Sequence, residues 1–218
     1  MAELDHIAVA AATLGEGAAW VERALGVPLQ DGGKHPTMGT HNRLLGLGPG
    51  LYLEVIAVDP EAPPPPRARW FRLDEFAGPP RLTNWIVRTG GLEAALALAP
   101  PGAGEPMAFA RGDYRWRMAV QADGRLPYDD AFPALIEWEG TLHPSDRLTD
   151  RGCRLARLEV THPDAASLRA ALKGKRVVLA LCGGNIDLTM LDRVIEVGLV
   201  ADGRLTRFTV SIADRPGG

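Results

Sequence analysis

The sequence predicts the α+β class: two tandem β-α-β-β-β modules, a further β-α fragment, and a C-terminal β-α-β tail. Three observations carry this. Apolar strand-like runs at residues 4–9 and 51–58 bracket one stretch of helical spacing, Leu14 to Leu25. The same order of elements returns from Arg81 onward. The style of the chain changes again at Lys173.

Leu4-Asp5-His6-Ile7-Ala8-Val9 reads as the first strand. In the helix that follows, Ala18, Trp20, Val21 and Leu25 fall close to helical spacing. Thr13 suits the N-cap, and Gly26 before Val27-Pro28 ends the helix. A short strand is expected near residues 28–30, then a Gly-rich loop from Asp31 to Gly39. His41 to Leu47 and Leu51 to Val58 form a hairpin around Gly48-Pro49-Gly50. Residues 59–80 hold Pro60 and Pro63 to Pro66, which make a stiff extended linker. Within it, Trp70-Phe71 is expected to cover an apolar edge.

The second module, 81–140, repeats the first at an offset of 78: Leu4 falls on Leu82, Val9 on Val87, Gly26 on Gly104 and His6 on Asn84. Ala134-Leu135-Ile136-Glu137-Trp138 resembles the 51–55 run, which sets Glu137 against Glu54 at an offset of 83. A third fragment, 141–172, carries a strand from Arg154 to Val160 and a helix from His162-Pro163-Asp164 to Leu172. In the tail, 173–218, Val177 to Leu181 reads as a buried strand and Cys182-Gly183-Gly184-Asn185 as a tight turn. A helix over Leu188 to Leu199 and an alternating strand from Leu205 to Ile212 follow.

At 218 residues and 46% hydrophobic content the chain can bury a sizeable core. A net charge of −3 gives no basic footprint for nucleic acid. Cys153 and Cys182 make no disulfide framework and suit a reducing cytoplasm. The N-terminal run lacks the basic and apolar regions of a signal peptide, and no stretch reaches transmembrane length. The expected partner is a small-molecule substrate, with no nucleic acid and no membrane; a homodimer is compatible with the pattern.

Glu54 stands inside an apolar strand, where a carboxylate needs a partner. A neutral imidazole at His6 and this carboxylate make half of a divalent-metal site. The competing reading is a core His6 bonded to a carbonyl and a Glu54 salt bridge to an arginine such as Arg43. Strand alternation puts Leu4, His6 and Ala8 on one face, and Tyr52, Glu54 and Ile56 on another. His41 and Asn42 follow the Gly-rich loop and are candidates for substrate binding or acid–base catalysis, against a bland loop-to-strand role. His35, His143 and His162 each neighbour a proline and read as turn residues; His143 is notable because it follows the Glu137 strand closely.

His6 in the first strand, the run His35-Pro36-Thr37-Met38-Gly39-Thr40-His41-Asn42, the Tyr52-Leu53-Glu54 strand and Leu155 to Asp164 together resemble a glyoxalase-like protein of the vicinal oxygen chelate superfamily. The resemblance spans roughly residues 3–172. It implies paired β-α-β-β-β modules whose mixed sheet curls into a cup. It also implies a divalent metal ion (Zn, Fe, Mn or Ni) held by His6, Glu54 and Glu137. Asn84 falls where many members carry a histidine or glutamine, which disfavours an iron dioxygenase. The tail, especially Leu181 to Asp187 and Arg193 to Leu199, resembles the end of threonine ammonia-lyase. Nothing upstream matches the cofactor lysine or phosphate loop of such an enzyme, so the tail reads as a fusion.

The expected function is a glyoxalase-like metalloprotein acting on a small oxygen-chelating substrate, of lyase or isomerase type, with a dioxygenase outcome also compatible. Alternatives are a metal-free pocket that sequesters small molecules between Trp20, Trp85, Trp116 and Trp138, or a non-functional fusion.

Overall fold

The computed structural model describes residues 2–172, 175–176 and 205–212. Strand β1 (Ala2–Ala10) leads into α1 (Leu14–Leu25), then β2 (Gln30–His35), β3 (Thr40–Gly46) and β4 (Tyr52–Val58). The α1 boundaries are those the capping residues dictate. Thr13 accepts a bond from the Glu16 N–H, and Gly26 takes the left-handed conformation that only glycine adopts cheaply. After a 3-10 segment at Trp70–Glu75, the order repeats as β5 (Arg81–Arg88), α2 (Leu92–Leu96), β6 (Glu105–Arg111), β7 (Tyr114–Val120) and β8 (Ala134–Trp138). Strand β9 (Cys153–Thr161) and α3 (Ala165–Ala171) follow, with β10 (Lys175–Arg176) and β11 (Leu205–Ile212). The expected strand, turn and helix between Val177 and Leu199 lie outside the described residues.

The fold is α+β with a curled mixed sheet. Its order is β2-β3-β4-β1-β5-β8-β7-β6, with β10 added on β1, and β11 pairs with β9 in a separate ribbon. The two first strands, β1 and β5, pair antiparallel at the centre. Ile7 opposes Trp85, 78 positions later, so the pairing is symmetric about that point. The symmetry extends to irregularities. Asp5 is an extra residue in β1 and Thr83 an extra residue in β5, again 78 apart. The repeat inferred from sequence is therefore built into the register.

The sheet has two apolar faces. The outer face packs Ile7, Val9, Leu53, Val55, Trp85 and Leu135 against α1 and α2. The inner face packs Ala8, Ala10, Ile56, Ile86, Ala134 and Ile136 beneath Trp70 and Phe71 of the linker. The outermost strands, β2 and β6, approach one another, so the sheet curls into a cup. Trp70 and Phe71 thus lie over the cup, with Phe71 held at a left-handed φ of 59°.

Two sequence expectations are corrected. Residues 31–35 form a strand and not a loop: they pair with β3 although Gly32 and Gly33 lie within the run. The alternation in β1 also breaks. The bulge at Asp5 puts Leu4 with the outer core while His6 and Ala8 face inward.

Candidate functional site

The floor of the cup is polar. His6 from β1 and Glu54 from β4 both face inward, with Nε2 of His6 3.6 Å from Oε2 of Glu54. Asn42, on β3, donates from Nδ2 to Oε1 of Glu54 at 2.5 Å. Register explains the convergence: Asn42 opposes Ile56 and Leu44 opposes Glu54, so Asn42 and Glu54 share the inner face two residues apart in pairing. Glu54 therefore pairs with His6 and Asn42, while Arg43 pairs with Asp31.

Behind His6 lies Asp5, whose side chain is fully buried. In a regular strand these neighbours would face opposite sides; the bulge puts both on one side. Nδ1 of His6 meets Oδ1 of Asp5 at 2.6 Å. Oδ2 of the same carboxylate accepts from Nε1 of Trp138 and Nε2 of His143, each at 3.0 Å. The Ser145 N–H donates to Nδ1 of His143, which leaves Nε2–H for Asp5.

Burial opposes charge on each of these groups, and the partners outweigh it. Hydrogen bonds from His143 and His6 hold Asp5 well below the ordinary carboxylate range. Burial depresses His6, but Asp5 and Glu54 lift it to about 9. Burial raises Glu54, and His6 brings it down to about 2. At neutral pH the imidazolium of His6 thus sits between two carboxylates, stacked on Tyr52 with centroids 4.5 Å apart.

Above this pair, β2 and β6 meet across the seam. Arg111, the last residue of β6, reaches over to β2 and β3. Its Nη1 donates to Nε2 of His35 and to Oδ1 of Asn42, both at 3.1 Å. Nδ1 of His35 bonds Oγ1 of Thr40 at 3.0 Å. Burial drops His35 to about 4, so it is neutral near pH 7 and its Nε2 accepts from Arg111. Asn42 has a single sensible orientation, its NH2 toward Glu54 and its oxygen toward Arg111.

The two glycines of β2 make room for this arrangement. A Cβ on Gly32 would lie 2.0 Å from Oδ1 of Asn42. One on Gly33, whose φ is +146°, would lie 2.8 Å from Cδ of Arg111.

Tyr52, Trp70, Phe71, Trp116, Met118, Ile136 and Trp138 complete a pocket around these polar groups. Trp116 and Trp138 were expected on its walls. Trp85 packs in the outer core instead, and Trp20 packs beside that core.

The expected ligand set does not assemble. Glu137 belongs to the outer face of β8, between inward-facing Ile136 and Trp138. It pairs there with Arg117, which also binds Glu93. Register explains the misassignment. Ala8 opposes Glu54 in the first module and Ile86 opposes Ala134 in the second, so the counterpart of Glu54 is Ala134. Asn84 does face inward, opposite Ala8, and is 1% exposed, yet neither of its amide atoms finds a partner. His41 is likewise one position out: it opposes Ala57 on the outer face, while Asn42 points inward. Among the described residues no three His, Cys, Asp or Glu side chains converge as a metal site. Only His6 and Glu54 of the expected ligands face the cup, one donor short of the three side chains a resident divalent ion takes, and the neighbouring group is the Arg111 cation. The donor set does not fit a resident divalent ion.

Residues 4–176 match the family model of the glyoxalase-like domain. The chain belongs to that glyoxalase-like family. Among solved structures, this glyoxalase-like chain is similar to a hypothetical protein from Staphylococcus aureus, with a TM-score of 0.53 and 15% identity over 79% of this chain and 74% of that one. Methylmalonyl-CoA epimerase from Mycobacterium tuberculosis gives a TM-score of 0.43 at 19% identity, over 64% of this chain and 89% of that one. A short segment is similar to L-threonine ammonia-lyase of Thermotoga maritima, 48% identical over 46 residues. That match takes in 21% of this chain and spans only 12% of the lyase.

Four contributors are not marked in the local sequence: His35 and His143 sit beside prolines and read as turn residues, and nothing singles out Asp5 or Arg111. The available signal was Gly32-Gly33 in a strand, which marks a close approach by another group. No helix among the described residues is long and apolar enough to cross a membrane.

Proposed function

We propose that this glyoxalase-like protein takes a small oxygen-bearing molecule into the cup and moves a proton on it with His6 and Glu54, without a resident metal. The observation that carries the reading is the His6–Glu54 pair on the pocket floor, 3.6 Å apart and walled by aromatic rings. That gap is too long for a good hydrogen bond, so a substrate atom can be served from both sides. Glu54, aimed by Asn42, would accept a proton from carbon. His6, charged and backed by Asp5, would stabilise or protonate the developing oxyanion. Asp5 holds the imidazole orientation, and Trp138 and His143 hold Asp5. While paired with His6, Glu54 is a weak base, and a ligand that enters between them raises its basicity. The same low basicity favours a second reading, binding without turnover.

Acetophenone tests both readings, because it is flat, carries a carbonyl oxygen and has exchangeable protons beside it. The expected result is quenching of the cup tryptophans that survives EDTA, and deuterium uptake at the methyl group that Glu54→Gln abolishes. Binding without uptake selects the second reading. Absence of binding, or binding that EDTA removes, contradicts the proposal.

A further inference from the structure

The geometry points to Arg111 as a carboxylate-binding group, so that the ligand class of the cup is a small monoanion: a carboxylate carried on a flat apolar body. This rests on the pocket reading above and names its substrate class. Both side-chain hydrogen bonds of Arg111 leave from Nη1 and go to neutral groups, His35 and Asn42. Its Nε is buried without a partner. Among the described residues no carboxylate forms an ion pair with it. On this half-buried guanidinium the shielded Nε–H goes unused, and the Nε–Nη2 edge is the one that takes a carboxylate through two parallel bonds.

The charges of the floor do not compete for this role. Glu54 is matched by His6, and Asp5 by His6, Trp138 and His143. Asn42 stands between Glu54 and Arg111 and hydrogen-bonds both, so it insulates the anion from the floor carboxylate. The walls supply the other half of the recognition. Trp70, Trp116 and Trp138 line the same pocket as Arg111, whose guanidinium carbon lies 6.0 Å from the Trp116 ring. A ligand with its carboxylate on Arg111 and its flat body against these rings would project its far end toward Glu54 and His6. Gly33 is part of the device, since any side chain there would push Arg111 off the seam.

The test compares benzoate with benzamide, which has the same shape and no charge, by tryptophan fluorescence and calorimetry on the full chain. Benzoate is expected to bind at least about tenfold more tightly, the equivalent of one charge-assisted bidentate contact. Arg111→Gln should remove that preference while benzamide binding persists, which also shows that the cup is intact. Arg111→Lys should keep only part of the preference, because an ammonium cannot fork. Equal binding of the two probes by the wild-type protein, or a preference that survives Arg111→Gln, overturns the assignment and leaves the pocket reading standing. Failure of both probes to bind the wild-type protein overturns the two together.

Discussion

The two buried histidines of the cup should give the protein a domed dependence of stability on pH, with one limb from each. His6 has a folded pKa of about 9 against 6.5 for the free side chain. The folded chain therefore keeps a proton that the unfolded chain releases. This contribution is complete below pH 6.5 and is lost as pH rises through about 9. At roughly 1.36 kcal/mol per pH unit it amounts to about 3 kcal/mol. His35 has the opposite sign. Its folded pKa of about 4 lies below the free value, so its contribution is present above pH 6.5 and lost as pH falls through about 4. Its size is again about 3 kcal/mol. Stability should peak near pH 6.5. Urea unfolding at pH 5, 6.5 and 9, on wild type, His6→Gln and His35→Asn, separates the limbs. His6→Gln should flatten the alkaline limb and leave the acid one, and His35→Asn should do the reverse. A wild-type protein equally stable at pH 6.5 and 9, or an alkaline slope unchanged in His6→Gln, would refute the buried imidazolium.

Other substitutions probe the supports of the site. Asp5→Asn should cost about 3–5 kcal/mol in urea unfolding, since it leaves the His6 charge short of a partner, and it should shrink the alkaline limb as well. Gly32→Ala drives a methyl group into Asn42 and should lose about 1–3 kcal/mol with weakened benzamide binding; unchanged binding would show that Asn42 does not need its place. Asn84→Ala deletes a buried amide with no partner and should change stability by less than about 1 kcal/mol, whereas a loss above about 2 kcal/mol would reveal a bonded Asn84. Glu137→Gln, on the outer face, should leave probe binding unaltered and cost at most about 1 kcal/mol for its partly exposed pair with Arg117.

Elements and repeat were legible where local chemistry is decisive. Thr13 and Gly26 delimit α1 because caps act within one turn. The 78-residue repeat surfaced in the strand pairing because β1 and β5 meet about its symmetry point. His6, Glu54 and Asn42 could be picked out as polar residues in apolar or Gly-rich surroundings, and the sheet brings them together. Facing, by contrast, was misread wherever it turned on exact register. A bulge at Asp5 reversed Leu4, and an offset of 80 in place of 83 moved the counterpart of Glu54 to Ala134. One-residue parity likewise turned His41 outward beside an inward Asn42. Arg111 was invisible for another reason. It enters the site only because β2 and β6, 76 positions apart at His35 and Arg111, close the cup, and no local pattern encodes that meeting.

The most direct measurement is the nitrogen-15 spectrum of the imidazole rings at pH 7.5, recorded before and after one equivalent of zinc. One buried histidine, assigned to His6 by its absence in His6→Gln, is expected to show both ring nitrogens protonated and unmoved by the metal. A neutral His6 whose Nε2 signal shifts on zinc addition would contradict this expectation.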